Sequence, residues 1–84
     1  MQPRTLLARI SRGDVQNVAF ADFCRLIEQF GFARVRVAGS HRIYAHPAIH
    51  ELVNLQDVRG EAKPYQIRQA LRLIERYNLL LEDA

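Results

Sequence analysis

Three histidines, His41, His46 and His50, share a stretch with Arg34, Arg36 and Arg42. That stretch runs from Gln29 to His50 and holds no acidic side chain over 22 residues. An imidazole titrates near neutral pH, at about 6.5 when unperturbed, so it exchanges protons where most side chains do not. A guanidinium offers a planar fork that grips phosphate through paired hydrogen bonds. A neutral imidazole beside such cations is equipped to take a proton from a sugar hydroxyl while the phosphate is held. In RNA the nucleophile, the 2′-hydroxyl, is already part of the substrate. His41, directly after Gly39-Ser40, is the candidate base. Spacing alone also admits a surface turn histidine without a task.

Other chemistries fit less well. A separation of five puts His41 and His46 on opposite faces of a regular strand, and no carboxylate or cysteine completes a ligand set, so no metal site is expected. Ser40 has no visible base or orienting acid and is not expected as a nucleophile. A single cysteine, Cys24, excludes an internal disulfide and a cysteine-based zinc site. It sits on an apolar helical stripe, where it reads as inert core, and its presence alone fits a reducing cytoplasm. No cofactor is implied. The start of the chain is too short in apolar residues and too charged for a signal peptide, and no run approaches a membrane span.

The elements that must position these groups follow from periodicity. Phe20 to Phe30 reads as an amphipathic helix with Phe20, Phe23, Cys24, Ile27 and Phe30 on one stripe, ended by Gly31. Phe32 to Ala38 alternates as a strand, with Val35 and Val37 on one face and Arg34 and Arg36 on the other. Gly39-Ser40 turns the chain into a second strand, His41 to Ala45, stopped by Pro47. On it Tyr44 is either a stacking residue or core. A short third strand covers Leu52 to Leu55, and Asp57 to Lys63 reads as a loop. Pro64 to Asn78 is a second long helix, with proline at its first position and a stripe of Ile67, Ala70, Leu71, Ile74 and Tyr77. Arg68, Arg72 and Arg76 recur every four residues as a ridge, either a phosphate track or a solvated face. Leu79-Leu80-Leu81 can dock on the core or on a partner. Before Phe20, Thr5 to Ser11 can form a short helix ended by Gly13-Asp14, and Val15 to Ala19 is ambiguous.

The predicted fold is α+β, in the order α-β-β-β-α. A three-stranded antiparallel sheet carrying two helices on one face buries both stripes. Eighty-four residues suit one domain, with 49% hydrophobic and 25% charged residues. The net charge of +3 is concentrated in residues 29–50, and eleven of the twelve cations are arginine.

With these elements in place the chain resembles the HicA toxins of bacterial type II toxin–antitoxin systems. The matching features are the helix ending in Gly31-Phe32, Gly39-Ser40-His41 followed by Ile43-Tyr44, then Leu52-Val53-Asn54-Leu55-Gln56, and Lys63-Pro64-Tyr65-Gln66-Ile67-Arg68-Gln69. The resemblance covers residues 20–78 and leaves residues 1–19 as an N-terminal extension. It implies a fold like the double-stranded-RNA-binding domain and an mRNA interferase activity, with His41 catalytic and Gly39 shaping the turn. Many members carry a second histidine where this chain has Arg42. Arg34, Arg36, Arg42 and Ser40 are the candidate phosphate ligands, and Lys63, Arg68, Arg72 and Arg76 candidate contacts to RNA or antitoxin. The implied partners are an mRNA substrate and a HicB-type antitoxin, with operator DNA reached only through the antitoxin. The alternatives are a non-catalytic RNA-binding module of the same fold and a protein-interaction domain with an acidic partner.

Overall fold

Among the described residues, proline opens two of three helices, α1 (Pro3–Ser11) and α3 (Pro64–Arg76). Its missing N–H falls where a helix has no acceptor for one, and its fixed φ suits the first turn. Between them, α2 (Phe20–Gln29) buries Phe20, Phe23 and Ile27 of the predicted stripe and Leu26 beside it, leaves Cys24 only partly buried, and has Phe30 buried just beyond its end. Gly31, at φ +97°, terminates it. The computed structural model describes residues 1–82.

Four strands follow in one antiparallel sheet: β1 (Ala33–Ala38), β2 (His41–Ala45), β3 (Val53–Val58) and β4 (Glu61–Ala62), in that spatial order. The fold is therefore α+β and of the double-stranded-RNA-binding-domain kind, with three helices and four strands among the described residues rather than two and three. The extra strand comes from the segment predicted as a loop. Arg59 (φ +55°) and Gly60 (φ +83°) form a turn with both central residues left-handed, the geometry that matches strand twist in a two-residue hairpin. Asp57 Oδ1 accepts the Gly60 N–H at 2.7 Å and closes it. A strand of two residues carries no alternation to read, and arginine is not the usual residue for that turn position.

β4 also fastens the chain that precedes α2. The Phe20 N–H donates to the Gly60 carbonyl at 2.8 Å and the Ala62 N–H to the Val18 carbonyl at 2.9 Å. Leu6, Ile10, Val15 and Val18, each at most 2% exposed, belong to the same core cluster as the residues of α2 and α3. The extension thus contributes core side chains, with α1 packed on α2. Fully burying one such Leu, Ile or Val is worth about 1.5–3 kcal/mol.

One face of the sheet is covered. Tyr44, Val53 and Leu55 point into the helices and are at most 5% exposed. On α3, Gln66, Ile67, Ala70 and Ile74 are buried, whereas the predicted Tyr77 lies outside. Leu79 and Leu81 pack against the core and Leu80 faces solvent. β1 departs most from expectation. All six of its residues are exposed, Val35 at 59% and Val37 at 51%, because β1 is the edge strand and the helices lie over β3 and β4. Among the described residues no helix is long and apolar enough to cross a membrane.

Candidate active site

The Gly39-Ser40 turn joins β1 to β2 with Gly39 at φ +59°, the left-handed value that a glycine at the first central position supplies. His41 begins β2 directly after it. Strand pairing fixes which way each neighbour points. His41 pairs with Ala38 on one side and Gln56 on the other, and Ile43 with Arg36 and Asn54. Residues two apart on a strand share a face. His41, Ile43, Arg36, Asn54 and Gln56 therefore stand on the face of the sheet opposite the helices.

β3 holds the turn. His41 Nδ1 lies 3.1 Å from Asn54 Oδ1. An amide oxygen only accepts, so Nδ1 carries the hydrogen, and in the neutral ring the lone pair is on Nε2. Gln56 Nε2 reaches Ser40 Oγ at 3.4 Å, and the Asp57 N–H donates to the Ser40 carbonyl at 2.9 Å. Gln56 is in turn fixed through its own N–H by Oε1 of Gln66, the one buried polar side chain among the described residues. In the sequence, Asn54 and Gln56 stand out only as residues of the family resemblance. Their spacing from the turn, 13 and 16 residues, carries no local signal. The register of β2 on β3 supplies it.

The arginines do not gather as alternation predicts. The register shifts between Arg34, opposite Tyr44, and Arg36, opposite Ile43, so a bulge at Val35 sends the two guanidinium stems to opposite faces. Arg36 is the one that shares His41's face, as a diagonal cross-strand neighbour at about 7–8 Å between backbones, within reach of a long side chain. Arg42 lies on the helix side. Its Nη1 donates to the Gly39 carbonyl at 3.1 Å, and its guanidinium sits over the Phe20 ring at 5.9 Å. It braces the turn from behind rather than standing beside the imidazole. Tyr44 resolves as core, donating to Glu28 Oε2 at 3.1 Å. Burial first, then its hydrogen bond with Cys24, pushes its phenol far above the ordinary range. Burial likewise raises the Cys24 thiol.

The other two histidines are elsewhere. His46 Nδ1 accepts the Ala48 N–H at 3.0 Å, which leaves Nε2 to donate to the Phe30 carbonyl at 3.0 Å. Its ring meets Phe32 edge to face at 5.1 Å. Both nitrogens are spent on structure, and His50 is exposed on the loop before β3. Among the described residues no group of three His, Cys, Asp or Glu side chains is placed to hold a metal ion.

Lys63 precedes α3 with its ammonium over the Tyr65 ring at 5.8 Å. Arg68, Arg72 and Arg76 are all exposed along α3. Arg72 and Arg76 line a groove of about 260 Å³ with Asn54, Gln66, Gln69 and Leu73. Arg76 is already paired with Glu51 at 3.4 Å, and Glu51 also accepts from the Tyr77 hydroxyl at 2.8 Å. That hydroxyl chiefly, and Arg76 less, hold the Glu51 carboxyl below its ordinary value.

A family model described as the HicA toxin of bacterial toxin–antitoxin systems matches residues 20–75. No curated protein and no solved structure matches the chain. The matched span takes in α2, the Gly39-Ser40-His41 turn, β3 with its two amides, and nearly all of α3.

Proposed function

The chain belongs to the HicA toxin family, and is thus the toxin of a toxin–antitoxin pair; from that premise we propose that it is a metal-independent endoribonuclease that cuts mRNA with His41 and is neutralised by a HicB-type antitoxin. The observation that carries the reading is the His41–Asn54 contact, 3.1 Å from Nδ1 to Oδ1, on the open face of the sheet. It turns a mobile imidazole into an oriented base with Nε2 free.

In the proposed reaction Nε2 takes the proton of the 2′-hydroxyl. The 2′-oxygen attacks the adjacent phosphorus, the bond to the 5′-oxygen breaks, and that oxygen acquires a proton as it leaves. The products are a 2′,3′-cyclic phosphate and a 5′-hydroxyl. Arg36 is the cation best placed to offset charge building on the phosphate. Ser40 Oγ accepts from Gln56, so its own O–H remains to donate to a phosphate oxygen. Arg34 and the exposed cations Arg68 and Arg72 serve more distant phosphates. Arg42 and Lys63, engaged locally, contribute positive potential. Operator DNA, in this reading, is met only through the antitoxin.

Replacing His41 by Ala tests the assignment. General base catalysis contributes about 10²–10⁴-fold, so cleavage of cellular mRNA after induction should fall by that factor while RNA affinity is kept. A His41→Ala protein as toxic as its parent removes His41 from the chemistry. A 2′-deoxy nucleotide at the cut site should abolish cutting, and undiminished cutting would exclude 2′-hydroxyl attack. Retained, salt-sensitive RNA binding without any cleavage by the unaltered protein would mark a binding module instead.

A further inference from the structure

β1 is the feature that catalysis leaves unexplained. It ends the sheet, pairs with β2 alone, and exposes every one of its residues. The two-residue turn makes Ala38 and His41 the closing pair of the hairpin, so alternation directs the backbone N–H and C=O of Val37 away from β2. An unpaired strand edge is a template for another strand. Beside it stand two half-exposed valines, Val35 and Val37. Arg34 and Arg36 alternate with them, and among the described residues neither guanidinium has a hydrogen-bond or ion-pair partner.

These features select an occupant. A second copy of this chain would bring Arg34 and Arg36 against their own counterparts, and the bulge between them interrupts a regular self-pairing. An RNA strand has no peptide groups to continue the ladder and gains nothing from Val35 and Val37. An extended polypeptide does both, and carboxylates on it answer a segment, residues 29–50, that has no acid of its own. We infer that β1 is a docking edge for an acidic, extended segment of a partner protein, which pairs backbone to backbone along Val37 and sets carboxylates from successive positions on Arg34 and Arg36, one on each face of the sheet. The inference rests on the proposed function in naming the antitoxin as the protein that carries the segment and in assigning Arg36 to the substrate phosphate. Docking there takes Arg36 from the substrate phosphate, so inhibition acts through that cation.

The probe is an end-blocked eight-residue peptide in which Val-Val and Glu-Glu pairs alternate, so that both strand faces carry carboxylates, followed by amide exchange and NMR shifts on the whole protein. The expected result is slowed exchange at Val37 and shifts confined to β1. Affinity should fall at least about tenfold for the Arg34→Glu/Arg36→Glu double variant, for a Lys-for-Glu peptide, and for a peptide N-methylated on alternate residues. The peptide arms keep the test valid whatever the variant does to folding. The inference is overturned if the N-methylated peptide binds as well, if the protected amides lie on α3, or if a ten-nucleotide RNA protects Val37 and the peptide does not. It is equally overturned if Val37 is protected by self-association without peptide. His41→Ala should bind the peptide as the parent does. A failed nuclease reading then shows only in cleavage, and a failed docking edge only in peptide binding.

Discussion

The molecule contains two antiparallel hairpins closed by two-residue turns, and they are used in opposite ways. The β3–β4 hairpin is fastened from all sides. Asp57 closes its turn, the segment leading to α2 bonds to β4 and its turn, and Leu55 at its base is fully buried. The β1–β2 hairpin is fastened along one strand only. Its turn projects His41 and Ser40 toward solvent, and it is ordered from β3 through Asn54, Gln56 and Asp57 and from behind by Arg42 against Phe20. Side chains that do chemistry must meet a substrate, so their hairpin forgoes burial and borrows rigidity from a neighbour that has it. Loops and turns on a rigid scaffold are where such groups generally sit.

Leu55→Ala tests the rigid side of this contrast most severely. It empties a fully buried position and should destabilise the fold by about 2–5 kcal/mol, read as a lower urea midpoint at unchanged slope. A loss below that range would mean that the β3 base is not the anchor. Asn54→Leu tests the borrowed order. Cleavage should drop about ten- to a hundredfold with little change in midpoint, because only the ring's orientation is lost. Asn54→Asp should restore rate, with the acid limb of the pH–rate profile moved to higher pH, since a carboxylate on Nδ1 favours the protonated ring. Equal losses of rate and stability in Asn54→Leu would erase the distinction between the hairpins.

Asp57→Ala should cost about 1 kcal/mol by orphaning the Gly60 N–H, with no effect on cleavage per folded molecule. The smallest effect belongs to Tyr77→Phe, far from both turns. Glu51 titrates lower in the folded protein than in the unfolded chain, chiefly because Tyr77 donates to it. Its contribution is present above the unfolded value, near the ordinary 4.5, and is lost as pH falls through the folded one. The variant should therefore match the parent in strong acid and fall slightly behind it at neutral pH, as thermal melts across that range would record.

Features set by local spacing were legible in the sequence. The stripe of α2, the proline start of α3 and the Gly39-Ser40-His41 turn each follow from neighbours within four residues. What escaped depends on contacts distant in the chain. β4 is two residues long and exists because the segment before α2 bridges to it at Ala19. The bulge at Val35 arises from the pairing with β2 and undid the alternation that put Arg34 and Arg36 together. Leu6 and Ile10 are core because α1 packs on α2, which a stripe of one and a half turns does not announce. Asn54 became a site residue only once register brought it to His41.

Gly31 and His46 lie outside the site, yet they constrain each other as sequence positions. A Cβ built on Gly31 falls 2.8 Å from His46 Nε2, where the ring is held by Phe30 and Ala48. The two are therefore a unit of inheritance. Among homologues, any side chain at position 31 should coincide with loss of the imidazole at 46. In a double-mutant cycle the penalties of Gly31→Ala and His46→Ala should combine to less than their sum, the remainder being what the left-handed backbone at 31 alone imposes.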